Sequence, residues 1–112
     1  MSTQKEIGKI RSIKVGFGGY QDAMFGVSIE LGSDKNGWGT GDFKGMWSSD
    51  PDKHCKWTKK DQDESFAAAM RFMLKLCKDA GVQSVNALVG KPVEVTFENN
   101  SLKEWRILKE VL

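Results

Sequence analysis

Ala23-Met24-Phe25-Gly26-Val27-Ser28-Ile29-Glu30-Leu31 is the stretch from which the fold is read. Ala23, Phe25, Val27, Ile29 and Leu31 alternate with Met24, Gly26, Ser28 and Glu30, the period of a strand with one buried face and one partly wet face. Upstream, Gly16-Phe17-Gly18-Gly19-Tyr20-Gln21-Asp22 reads as a turn, its three glycines supplying positive φ angles. Before it, Ile7, Ile13, Val15 and Phe17 share one parity while Lys9 and Arg11 break it, so Ile7 to Phe17 is expected to be a strand that is regular only in its second half, with an edge-like first half. Downstream, Gly32 to Gly37 is a second turn, after which a third antiparallel strand runs back.

The third strand lies within Gly37-Trp38-Gly39-Thr40-Gly41-Asp42-Phe43-Lys44-Gly45-Met46-Trp47. Glycine weakens strands, so four glycines among two tryptophans and a phenylalanine call for a reason. One reason is a bent or bulged strand with aromatics packed over bare backbone. The other is a ligand-facing surface, where glycine permits close approach and tryptophan offers a flat apolar face. Asp42 stands out because aspartate is depleted in strands, whereas Asp22 is ordinary turn chemistry.

After Trp47 comes a loop with no apolar period, marked by Pro51. Thr58 is a good N-cap, with Asp61 placed to suit the positive end of the helix dipole. Phe66, Ala69, Met70, Met73, Leu76, Cys77 and Ala80 form one apolar stripe on a helix that stops at Gly81, and that stripe belongs to the core. Met24, Met46, Met70 and Met73 are read as core fillers. Val82 to Val89 suggests a short helical turn that Ser84 could cap and Gly90 ends. Pro92 opens a strand over Val93 to Phe97. Glu98 to Ser101 is a turn, and Leu102 to Val111 returns as the partner strand, with Trp105, Ile107 and Val111 on one parity. The expectation is one α+β domain over residues 1–112, ordered β-β-β-α-β-β, with about five antiparallel strands packed on one main helix.

Composition excludes more than it selects. Cys55, Cys77 and a lone histidine suggest neither a disulfide framework nor a zinc site, which fits a reduced, cytoplasmic setting, and neither a metal nor another cofactor is expected. No apolar run approaches the roughly 20 residues that span a bilayer, so no membrane association is expected. Gly8-Lys9 and Gly90-Lys91 lack the context of a phosphate-binding loop, and Gln21 stands where a dinucleotide fingerprint needs its third glycine. His54 beside Cys55 lacks a third orienting group, so no catalytic residues are assigned and the chain is not expected to be an enzyme. A net charge of +2 decides little, and the basic run from Lys53 to Lys60 is offset by Asp50, Asp52, Asp61, Asp63 and Glu64.

Gly18-Gly19-Tyr20-Gln21-Asp22-Ala23, Gly37-Trp38-Gly39, Asp42-Phe43, Trp47, Leu88 to Val93 and Trp105 to Leu108 together resemble a family of small, mostly uncharacterised proteins of bacteriophages and prophages. The resemblance covers most of the chain and implies a viral accessory protein acting in the cytoplasm of a host bacterium. Proteins of that kind are commonly anti-defence factors or helpers of replication and recombination. The leading expectation is a non-enzymatic binding protein that engages a host protein or a small nucleotide-type ligand through Tyr20, Asp22, Trp38, Asp42, Phe43 and Trp47. The alternative is a nucleic-acid accessory protein using Lys44, Lys56, Trp57, Lys59 and Lys60. Edge strands in a small sheet also favour self-association, so a homo-oligomer is expected.

Overall fold

The computed structural model describes residues 2–112. Its strands are β1 (Thr3–Gly18), β2 (Met24–Ser33), β3 (Trp38–Trp47), β4 (Pro92–Glu98) and β5 (Ser101–Ile107), with one long helix, α1 (Lys59–Ala80), between β3 and β4. The strands form one antiparallel sheet in the order β3-β2-β1-β4-β5, an α+β fold.

β1 serves two neighbours in succession. Thr3 to Lys9 pairs with β4 and Lys9 to Gly18 pairs with β2, with a bulge between Ile10 and Ser12. The half expected to be an edge is thus a paired strand at the centre of the sheet. The bulge also reverses the parity of everything before it. Ile10 is fully buried, whereas Ile7, grouped by parity with Ile13, is 53% exposed.

The sheet is strongly curled. With strands about 4.8 Å apart, the edges β3 and β5 of a flat five-stranded sheet would lie roughly 19 Å from each other. Instead Trp105 Nε1 on β5 donates a 2.8 Å hydrogen bond to Asp42 Oδ2 on β3, and Trp38 of β3 packs edge-on against Phe97 of β4 with ring centroids 5.5 Å apart. The interior so formed holds Ile10, Val27, Ile29, Leu31, Val93, Val95 and Ile107. Helix α1 adds Leu76 and Ala80 to that core, and its Phe72 meets the Trp105 ring edge-on at 5.9 Å.

Local chemistry fixes the ends of α1. Thr58 and Asp61 make a reciprocal capping box, and Gly81 ends the helix at φ 68°, where Val82 N–H reaches back to the Cys77 carbonyl. Gln62, 1% exposed, donates to the carbonyls of Trp47 (2.7 Å) and Ser49 (2.9 Å), tying the first turn to the end of β3. Met70 lies off the expected stripe at 65% exposure, while Phe72 takes a place in the core.

Several turns differ from expectation. Of the three glycines before β2, only Gly19 has positive φ; Gly16 and Gly18 belong to β1, and Gln21 and Asp22 supply the other left-handed residues. Ser84 precedes a 3₁₀ turn, Val85–Leu88, without a side-chain cap. β5 ends at Ile107, so Val111 falls in a terminal 3₁₀ turn and is 65% exposed. The β4–β5 turn is left-handed at both Asn99 (φ 54°) and Asn100 (φ 68°), the geometry of a tight hairpin.

Candidate functional site

Strand alternation divides the six residues expected to form one surface. Trp38 and Asp42 share the inward face of β3 with Thr40 and Lys44, opposite Ser33, Leu31, Ile29 and Val27 of β2. Phe43 and Trp47 point the other way. The surface expected around Asp42 is therefore two surfaces, and Asp42 itself is committed to Trp105, its side chain 19% exposed with Lys44 Nζ 3.9 Å away. On the outer face Tyr20 meets Trp47 edge-on at 6.2 Å, and Asp22 is exposed in the adjoining turn.

The glycines divide in the same way. Gly26 and Gly45 are paired across β2 and β3, where a β-carbon on Gly26 would run into the Lys44 carbonyl and one on Gly45 into that of Phe25. Bare backbone is a packing requirement at that pair. Gly8 is equally constrained, because a β-carbon there would stand 2.7 Å from the Trp38 ring. Gly39 is different: the nearest atom to an added β-carbon is 3.7 Å away, so packing does not demand glycine.

Trp38 and Gly39 border a groove of about 360 Å³ between the start of β3 and the β1–β4 half of the sheet, lined also by Gln4, Glu6, Asn36, Phe97 and Asn100. Gln4 and Glu6 reach it from the inward face of β1, where apolar residues would otherwise sit, and Gln4 Nε2 donates to Glu6 Oε1 at 2.6 Å. Asn36 enters from the β2–β3 turn, held by its backbone N–H on Ser33 Oγ at 3.1 Å. Trp38 Nε1 is buried and has no hydrogen-bond partner among the described residues. An orphaned buried N–H costs about 1–3 kcal/mol, so it is a site that an acceptor would stabilise. A second hollow, of about 420 Å³, lies against the same turn, shares Asn36 and carries Lys9 and Lys35 beside Asp34, whose Oδ2 lies 3.5 Å from Lys9 Nζ.

The chemistry available in the groove is recognition. Two aromatic rings, three amides and one carboxylate offer stacking or edge contact, donors and acceptors in a partly apolar recess. Gln4, Glu6, Asn36, Phe97 and Asn100 escape a reading based on tryptophan and glycine content. Their signal is the loss of alternation in the first half of β1, where the inward positions are Gln4, Glu6 and Gly8.

The lysines of the alternative interface are partly neutralised. Lys59 lies 3.3 Å from Asp50 and 3.9 Å from Asp63, Lys60 lies 3.8 Å from Glu64, and Lys44 sits over the Phe72 ring at 5.6 Å. Lys56 is exposed and Trp57 half-buried in the loop before α1. The titratable groups with clear shifts lie elsewhere. The Arg106 hydrogen bonds hold Glu110 down at about 2, Glu110 in turn pushes Arg106 up, and the hydrogen bond from Lys75 lowers Asp79. Among the described residues, no cluster of three or more His, Cys, Asp and Glu could hold a metal ion, and no helix is long and apolar enough to cross a membrane. No family model, curated protein or solved structure matches the chain.

Proposed function

We propose that the chain is a non-enzymatic binding protein that takes a nucleotide-type ligand in the groove bordered by Trp38. The observation that carries the reading is the orphaned, buried Nε1 of Trp38, a residue that lines a recess together with the amides of Gln4, Asn36 and Asn100 and the carboxylate of Glu6. A base is flat, has an apolar face for Trp38 and Phe97, and carries edge donors and acceptors that amides and a carboxylate can pair. A small shift of the Trp38 ring brings its N–H to a ring nitrogen or carbonyl of the ligand. The phosphates then extend around the turn toward Lys9 and Lys35. In the phage setting implied by the sequence resemblance, such a protein is an anti-defence factor that sequesters a nucleotide signal of the host.

Calorimetric titration with a panel of mononucleotides and cyclic dinucleotides tests this. Saturable binding by the wild type should fall about ten- to a hundredfold in Asn36→Ala, corresponding to one lost hydrogen bond of roughly 1–3 kcal/mol. Lys9→Met should weaken nucleotides while sparing the free nucleoside. No binding by any member of the panel, or binding indifferent to Asn36, overturns the reading.

A further inference from the structure

The second half of β1 is a strand edge with an apolar face. Beyond Lys9 it has lost β4 as a neighbour, and only β2 pairs with it as far as Gly18. Ile10 turns its N–H to the Lys91 carbonyl and its C=O to the Gly90 N–H, on the β4 side. Polar groups alternate along a strand, and the bulge shifts the count by one, so the next residues facing that side are Ile13, Val15 and Phe17. None of the three has a backbone partner there among the described residues; the Phe17 carbonyl accepts only from its own Lys14 Nζ, at 3.3 Å. The side chains on this edge are apolar and open: Val15 is 48% exposed, Phe17 56% and the Phe17-packed Phe25 39%. The molecule measures 48 × 37 × 20 Å with a radius of gyration of 15.4 Å, against roughly 13 Å for a compact chain of this length.

We infer that this edge pairs with the same edge of a second copy of the chain, antiparallel about a two-fold axis at Val15. The sequence is self-complementary in that register. Val15 faces Val15, Ile13 faces Phe17, and Lys14 faces Gly16, so the two copies' lysines are never directly opposed. Ile13, Val15 and Phe17 all present their N–H and C=O groups to the partner, so the central Val15 pair and the two Ile13–Phe17 pairs are hydrogen-bonded ones, with the non-hydrogen-bonded Lys14–Gly16 pairs between them. A register centred on Lys14 fails on both counts: it opposes two ammonium groups and leaves the central pair without backbone bonds. The open edge is then buried in a continuous sheet, and the Phe17–Phe25 clusters flank the axis. The groove lined by Gln4 and Glu6 lies on the other half of β1, so pairing and ligand binding are separable.

Sedimentation equilibrium over a concentration series, with disulfide trapping, tests the pairing. The wild type should pass from monomer to twice the monomer mass. Val15→Lys, which opposes two ammonium groups on the axis, should remain monomeric at every concentration with an unchanged circular dichroism spectrum. In a Cys55→Ser background, Val15→Cys should form a disulfide-linked dimer on mild oxidation, because Cα atoms of a hydrogen-bonded antiparallel pair stand about 5.5 Å apart. Gln21→Cys in the adjoining turn should not. A wild type that stays monomeric throughout, or a dimer untouched by Val15→Lys, overturns the inference.

Discussion

Trp105→Phe separates the two edges of the curled sheet while leaving an aromatic ring beside Phe72. The substitution deletes the donor to Asp42 Oδ2, a 2.8 Å bond to a carboxylate whose side chain is 19% exposed. A hydrogen bond to a charged group contributes about 1.5–3 kcal/mol, and the smaller ring leaves a void adding about 1 kcal/mol, so a loss of roughly 2–4 kcal/mol is expected. Against a total of about 5–15 kcal/mol, that is a large fraction. At about 4 °C per kcal/mol for a chain of this size, the melting midpoint should fall by roughly 8–16 °C. Asp42→Asn keeps an acceptor oxygen and should lose only about 1 kcal/mol. Urea unfolding of both single variants and the double variant supplies the cycle, with the slope against urea held constant as the control. The double variant should lose less than the two singles combined, by about 1 kcal/mol or more. Additivity within about 0.5 kcal/mol would mean that the charge of Asp42 adds nothing to the bond beyond what a neutral amide oxygen supplies.

Gly26→Ala should destabilise by about 3 kcal/mol, because its β-carbon meets the Lys44 carbonyl and lies 2.6 Å from the Gly45 Cα; Gly39→Ala, with 3.7 Å of clearance, should change stability by under about 0.5 kcal/mol in the same unfolding assay. Gln62→Leu leaves the Trp47 and Ser49 carbonyls unpaired and should cost about 2–4 kcal/mol, with hydrogen exchange accelerated first in the start of α1. Glu110 should titrate near 2 by carbonyl-detected NMR. Its folded value lies below the usual 4.5, so its contribution to stability is present above about 4.5 and fades as pH falls toward 2; Arg106→Gln should return the midpoint to the ordinary range. Lys75→Met should likewise raise Asp79, which Lys75 now holds below 3.8 through a 2.6 Å contact.

Elements set by local rules are legible in the chain. The alternation of Phe25 to Leu31, the Thr58–Asp61 cap, Gly81 and the Asn99-Asn100 turn each specify an element without reference to the rest of the molecule. The curl is not local. It depends on bulges at Arg11 and Lys103, where one residue shifts the register, and on Asp42 meeting Trp105 across 63 positions of sequence. For the site, period-two alternation already separates even-numbered Trp38 and Asp42 from odd-numbered Phe43 and Trp47. What it cannot supply is the groove, because Gln4, Glu6, Asn36, Phe97 and Asn100 come from three separate segments. Their one trace is the weak amphipathic pattern of β1 before Ile10, where polar groups and a glycine replace the apolar residues of a core-facing strand.

The most direct measurement of the ligand reading is the indole N–H resonance of Trp38, assigned by its disappearance in Trp38→Phe. During nucleotide titration this resonance should move downfield and saturate, as a buried donor gains an acceptor, while the indole signals of Trp47 and Trp57 stay in place. A Trp38 signal that does not move, or a response confined to Trp47 or Trp57, contradicts the account.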